Sequence, residues 1–137
     1  MLPGPFSGLG VSVSATFLDG ETELPTGTIP ILQQPEQTFS MTGFYQYGRV
    51  DATVGYTYND SYLTDLNDDP LLNLDQGAFG RWDARISYNF TDRLDVFLEG
   101  VNLNNEPTTE FQGGVERRNT EYEYVGRSIY LGLNFQF

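Results

Sequence analysis

Apolar and polar residues alternate one for one along most of this chain. Successive side chains on a strand point to opposite faces, so the pattern predicts strands with one apolar and one polar side. Six segments show it, and none shows a sustained helical period. The first covers residues 8–19, with Leu9, Val11, Val13, Ala15 and Phe17 on one face and Gly10, Ser12, Ser14 and Thr16 on the other. The second covers 37–47 and sets Phe39, Met41, Gly43, Tyr45 and Tyr47 against Ser40, Thr42, Phe44 and Gln46. The third, 49–62, sets Val50, Ala52, Val54, Tyr56 and Tyr58 against Arg49, Asp51, Thr53, Gly55 and Thr57. The fourth, 78–90, is the most regular: Trp82, Ala84, Ile86, Tyr88 and Phe90 oppose Arg81, Asp83, Arg85, Ser87 and Asn89. The fifth, 93–102, places Leu94, Val96 and Leu98 against Asp95 and Glu99, but Phe97 and Val101 fall on its polar side. The sixth, 121–137, ends in Ile129, Leu131, Leu133, Phe135 and Phe137 against Ser128, Tyr130, Gly132, Asn134 and Gln136.

The connections sharpen the prediction. Those after the second and fourth segments are tight, at Tyr47-Gly48 and Thr91-Asp92-Arg93. Those after the first, third and fifth are long, over 20–36, 63–77 and 103–120. Every long connection therefore falls at one end of the sheet. Barrels of the bacterial outer membrane show this asymmetry, with short turns in the periplasm and longer loops outside. The segments also run to about ten residues, the length that crosses a bilayer when tilted, where soluble strands average about five or six. Tyr45, Tyr47, Tyr56, Tyr58, Trp82, Tyr88 and Phe90 lie toward strand ends on the apolar face, where interfacial aromatic girdles would place them. A final apolar strand is an aggregation hazard in water, but in a closed barrel it pairs with the first strand and lipid covers its face.

Composition removes other classes. Nineteen acidic residues against seven basic ones give a net charge of −12, which disfavours nucleic acid as a partner. With no cysteine and no histidine, disulfides, the usual zinc sites and the usual nucleophile–histidine pairs are excluded. No cofactor is predicted, and nothing gathers carboxylates for acid–base chemistry, so the reading is not an enzyme. Twenty aromatic residues and fifteen glycines suit barrel strands. No apolar run is long enough for a membrane-spanning helix. Residues 1–5 have neither a charged nor an apolar signal region, so export predicts a signal upstream of Met1. Single-chain bacterial barrels have at least eight strands, so six predict part of a larger barrel, or an oligomer that pools strands.

Three segments carry a family resemblance: Arg81-Trp82-Asp83-Ala84-Arg85-Ile86-Ser87-Tyr88, Glu99-Gly100-Val101-Asn102-Leu103-Asn104-Asn105-Glu106-Pro107, and Tyr124-Val125-Gly126-Arg127-Ser128-Ile129-Tyr130-Leu131-Gly132. In order and spacing they resemble the C-terminal end of a TonB-dependent outer-membrane receptor, with the similarity running over about 8–137. The resemblance implies an all-β, antiparallel, up-and-down transmembrane barrel of about 22 strands with a plugged lumen, of which this chain supplies the last six. It implies a plug and a TonB-binding box in the missing N-terminal part. It also implies import of iron-siderophores, cobalamin, nickel complexes or oligosaccharides. The partners it implies are outer-membrane lipid, the remaining barrel and plug, TonB through that plug, and the barrel assembly machinery. Tyr130, Gly132, Phe135 and Phe137 match the C-terminal assembly signal which that machinery reads.

Candidate site residues follow from both lines. Arg81, Asp83, Arg85 and Glu99 are expected to line the lumen. Spacing at every second position predicts a salt-bridge ladder reaching Asp51 or Glu99, with contact to plug or substrate as the alternative. Glu110, Phe111, Gln112, Glu116, Arg117, Arg118, Tyr122 and Tyr124 sit in the last long connection, where a ligand mouth would be. Asp65-Leu66-Asn67-Asp68-Asp69 has the start of a calcium-loop spacing, but Pro70 and Gln76 stand where glycine and a bidentate glutamate are needed, so it reads as a solvated acidic loop. Two rival architectures remain: a diffusion channel of the porin kind, and a soluble β-sandwich whose apolar faces meet in a dry core.

Overall fold

The computed structural model describes residues 4–24 and 27–136, so Phe137 of the expected assembly signal lies outside the described residues. Among the described residues, two short 3-10 turns, Gly4–Phe6 and Pro70–Leu72, accompany twelve strands. In chain order the strands are β1 (Leu9–Phe17), β2 (Glu21–Leu24), β3 (Gly27–Pro30), β4 (Gln37–Tyr47), β5 (Val50–Asn59), β6 (Tyr62–Asp65), β7 (Leu74–Gln76), β8 (Phe79–Thr91), β9 (Leu94–Val101), β10 (Thr108–Gln112), β11 (Val115–Glu123) and β12 (Ser128–Phe135).

The six long strands form one antiparallel sheet in the order β1-β4-β5-β8-β9-β12, the up-and-down order expected of a barrel wall. They run from 8 to 13 residues, which matches a bilayer crossing. Two-residue geometry makes the β4–β5 turn, where Gly48 takes φ +61° ahead of Arg49. A positive φ at the first turn position suits the right-handed twist of paired strands and favours glycine there.

Register keeps the two faces separate across all six strands. One row reads Leu9, Tyr45, Ala52, Ile86, Leu98 and Leu131, from β1 to β12. The next reads Gly10, Phe44, Thr53, Arg85, Glu99 and Tyr130. A slip of one residue in any pair would turn that strand's apolar set toward the polar side. The alternation read in the sequence is therefore the alternation of the sheet.

Aromatic residues of the apolar face gather in two bands. At the loop end, Tyr56 packs on Trp82 at 4.9 Å between ring centroids and on Phe39 at 6.4 Å. At the turn end, Tyr88 meets Phe90 edge-on at 4.8 Å, and Tyr45 stacks with Tyr47 at 6.4 Å. Between the bands, Gly43, Ala52, Ala84 and Gly100 leave a shallow apolar hollow of about 450 Å³. Two aromatic belts around a smooth apolar waist are what two membrane interfaces and a hydrocarbon slab require.

The apolar face is bare: Leu131 is 76% exposed, Val11 64% and Ile86 49%. No second layer lies on it among the described residues, which overturns the sandwich reading, since a sandwich would bury these side chains.

The long connections differ from expectation. They are not plain loops. β2 and β3 form a hairpin, and β6, β7, β10 and β11 form a second sheet in the order β11-β10-β7-β6. The third predicted segment stops at Asn59, because Asp60 and Ser61 break the ladder before β6. The sixth splits in two. Its first part belongs to β11 in the outer sheet, and β12 begins only after Gly126, whose φ of +83° redirects the chain. The buried apolar residues Phe111 and Leu63 both sit in this outer sheet, opposite Asp75 in the same row.

A lipid-facing waist has a measurable consequence. Arginine at Ile86 or Leu131 is expected to destabilise the folded barrel by about 2–4 kcal/mol, against about 1 kcal/mol or less at Ser87 or Asn134 on the other face. Denaturant titration of the protein folded into lipid vesicles reads the difference. Equal costs on both faces would refute the assignment.

Candidate functional site

The polar face of the wall and the outer sheet above it carry the chemistry. Arg85 Nη1 donates to Glu99 Oε2 across β8 and β9 at 3.0 Å, and its guanidinium lies 4.0 Å from the centroid of the Phe97 ring. With side chains 45% and 35% exposed, the pair is a solvent-screened bridge that contributes at most about 1 kcal/mol. The expected ladder has this rung alone among the described residues. Arg81 turns instead to Thr108 Oγ1 at 3.3 Å and stacks over Phe79 at 4.7 Å. Asp83 accepts the backbone N–H of Asn102 at 2.8 Å. Asp51 is met by Asn89 Nδ2 at 3.2 Å, not by an arginine. Farther toward the turns, Asn134 Nδ2 donates to Asp95 Oδ2 at 2.9 Å. The face is thus a mixed network of amides and carboxylates. Arg85 and Glu99 meet there, while Arg81 and Asp83 reach upward to the last outer loop.

Phe97 explains itself here. Its ring covers Gly132, and a Cβ at Gly132 would stand 2.3 Å from the ring. Phe44 covers Gly10 in the same way, at 2.2 Å. Each outermost wall strand therefore offers a glycine to an aromatic ring from its inner neighbour, on the polar face. Tyr130 and Gly132 share that face, and Phe135 pairs with Leu94 on the other. Tyr130, Gly132 and Phe135 hence occupy one strand, β12.

The last outer connection is built on asparagines. Leu103 N–H donates to Trp82 C=O at 2.8 Å, and Asn104 Oδ1 accepts the Trp82 N–H at 3.1 Å. Asn104 Nδ2 donates to Gly80 C=O at 2.7 Å. One side-chain amide thus continues the β8 hydrogen-bond ladder where β9 has ended. Asn102, 4% exposed, accepts from Glu106 N–H at 2.8 Å and donates to the carbonyls of Glu106 and Gly126, each at 3.1 Å. It takes φ +54°, a left-handed conformation that asparagine tolerates better than most residues. The sequence marked this segment only as part of a motif and gave Asn102 and Asn104 no role.

Of the residues expected at a mouth, Phe111 is buried in the outer sheet and is not a mouth contact. Glu110 accepts from Thr120 Oγ1 at 3.0 Å. Tyr122 and Tyr124 are exposed with their hydroxyls 3.2 Å apart, and that hydrogen bond holds Tyr122 above the ordinary phenol range. Asp65 and Asp69 spend their carboxylates on the backbone N–H groups of Leu66 and Leu71. Among the described residues, no group of three or more acidic side chains is arranged to hold a metal ion.

A two-faced sheet with paired aromatic bands, tight turns at one end and structured loops at the other defines a stretch of outer-membrane β-barrel wall. The model of the TonB-dependent receptor-like β-barrel family matches residues 4–103 of the 137, and the chain belongs to that family. Its place is the bacterial outer membrane, and the family transports and does not catalyse. No curated protein and no solved structure matches the chain. The match takes in Arg81–Tyr88 and the start of the asparagine segment, and it stops short of β10, β11 and β12.

The glycine–ring contact can be tested directly. Gly132→Ala is expected to cost about 1–3 kcal/mol, because the Phe97 ring must leave its place against Arg85. In a Phe97→Ala background the same change should cost almost nothing. Full cost in both backgrounds, measured by denaturant unfolding, would refute the contact's role.

Proposed function

We propose that this chain forms the last six wall strands of a larger receptor barrel that imports a scarce ligand across the outer membrane with energy delivered through TonB. The observation that carries the reading is the register: one lipid-compatible face and one hydrated face run unbroken over six strands. Family membership supports the energy coupling. The sheet order ends in β1 on one side and β12 on the other, and no pairing joins them among the described residues. In hydrocarbon such edges must be paired, which supports further strands of the same barrel as partners.

In this reading the six strands work passively. Leu131, Ile86 and their rows anchor the wall in lipid. Arg85, Glu99, Asp83 and Arg81 keep the lumen side hydrated beside a plug, and the outer sheet forms part of the ligand mouth. TonB would act through the plug, which belongs to the rest of the receptor. The barrel assembly machinery would read β12. Iron-siderophores, cobalamin and oligosaccharides are the ligand classes in view.

Antibody to the exposed strand 115–123 tests the reading on cells. It is expected to detect an outer-membrane polypeptide much larger than 15.4 kDa whose gel mobility changes on heating, as folded barrels do. A band at 15.4 kDa alone would overturn the larger barrel. With ferric siderophores, cobalamin or oligosaccharides offered as limiting nutrients, uptake that needs this chain is expected to need TonB as well. Uptake that persists without TonB would instead mark a diffusion channel.

A further inference from the structure

The two long connections over 60–77 and 103–127 leave the wall separately but do not stay separate. β7 from the first and β10 from the second pair through Leu74 with Gln112, Asp75 with Phe111, and Gln76 with Glu110. Gly77 N–H donates to Thr109 C=O at 2.8 Å, Gln76 Nε2 donates to the same carbonyl at 2.8 Å, and Gly113 N–H donates to Asn73 C=O at 2.9 Å. Asp75 Oδ2 accepts the Gly114 N–H of the β10–β11 turn at 2.9 Å. Leu63 and Phe111, one from each connection, are buried in one row across this sheet. Paired ladders, with a buried apolar side chain from each connection flanking Asp75, resist independent motion.

Arg81 reaches Thr108 from the wall, and Leu103, Asn104 and Glu106 meet the backbone of Gly80 and Trp82. Asn102 stands at the base of this unit with both amide protons and its carbonyl engaged. It joins the outgoing stem at Glu106 to the returning stem at Gly126, while its own N–H is held by Asp83 of the wall. The buried side chain thus closes the 103–127 connection, and the backbone N–H of the same residue ties it to β8.

We propose that the two connections form a single rigid body whose 103–127 stem is closed by the Asn102 side chain where it meets the wall, so that they move together and neither opens alone. Asn102 is then a positioning residue for the outer mouth. The functional meaning rests on the reading of that end as a ligand mouth, whereas the mechanical statement does not and is tested separately.

Amide hydrogen exchange decides it, measured on the receptor that carries this chain in detergent micelles. Asn102→Gly removes the side chain while relieving the positive φ, so backbone strain does not confuse the result. Losing three hydrogen bonds that each contribute about 1 kcal/mol should raise exchange by tenfold or more. The expected pattern is a joint rise in 62–76 and 108–123, with 84–91 and 94–100 unchanged and the heat-dependent gel shift retained. Faster exchange in 108–123 alone would show two independent loops and overturn the proposal, as would a wild-type profile or an equal rise in the wall strands. Asn102→Asp keeps an acceptor for Glu106 N–H and loses both donated bonds. It is expected to fall between wild type and Asn102→Gly, and a wild-type profile there would overturn the role given to the Nδ2 group. If neither variant inserts as a folded barrel, Asn102 supports the wall and not the loops, and the proposal fails.

Discussion

Backbone hydrogen bonding across hydrocarbon is the constraint on which everything else in this molecule depends. No water reaches the middle of a bilayer, so each N–H and C=O there must be met by a neighbouring strand. Strands can satisfy this only in fixed register, and register then fixes which side chains face lipid and which face the lumen. The row from Leu9 through Ile86 to Leu131 and the row from Gly10 through Arg85 to Tyr130 are two consequences of one ladder. This is also why the wall has no dry core. Its apolar side chains are solvated by lipid, and exposure that would be a fault in a soluble domain is the working state here.

Freed from packing a core, the polar face can be built from modest interactions. Arg85 with Glu99, Asn134 with Asp95 and Asn89 with Asp51 are each local and hydrated. None of them needs to hold the sheet. Their collective effect is to give the lumen side a sequence of matched donors and acceptors, so that no long charged side chain is driven across the wall. Aromatic rings add the missing bulk where glycine leaves the strand thin, as Phe97 does over Gly132 and Phe44 over Gly10.

What could be read from sequence follows the same physics. β4 was legible to the residue, because a lipid–lumen boundary forces alternation along Gln37–Tyr47, with Phe44 over Gly10 the exception. β8 was nearly so. The polar-side Phe97 broke the pattern of β9, and only the register shows that it faces a glycine on the next strand. The outer sheet was illegible because β6 and β7 have four and three residues, too few to display a period, and because two separate connections supply its strands. β11 was merged with β12, since alternation carries on through Glu121 to Glu123 and the break rests on the backbone at Gly126. Among candidate residues, Glu99 was one of two ladder partners expected, and Arg85 meets it, while Asp51 meets an amide. Arg81 and Asp83 were assigned to a ladder that the longer reach of the outer loop pre-empts.

Unequal strand lengths explain why asparagine matters at the rim. β8 has 13 residues and β9 only 8, so the first turns of the β8 ladder outrun their partner. Gly80 and Trp82 would be left with unmet backbone groups on the β9 side, close to the membrane interface. Leu103 N–H and the Asn104 amide meet three of these, and Glu106 Oε1 accepts from Gly80 N–H at 3.4 Å. A side-chain amide sets an N–H donor beside a C=O acceptor in the spacing of a peptide group, so asparagine can stand in for a strand while the backbone itself turns away. The chain thereby leaves the wall without leaving the ladder open. A barrel that needs tall strands for the lumen and loops that depart at different heights must solve this mismatch at each long connection. Here the Asn102–Glu106 segment solves it with side chains in place of a longer β9.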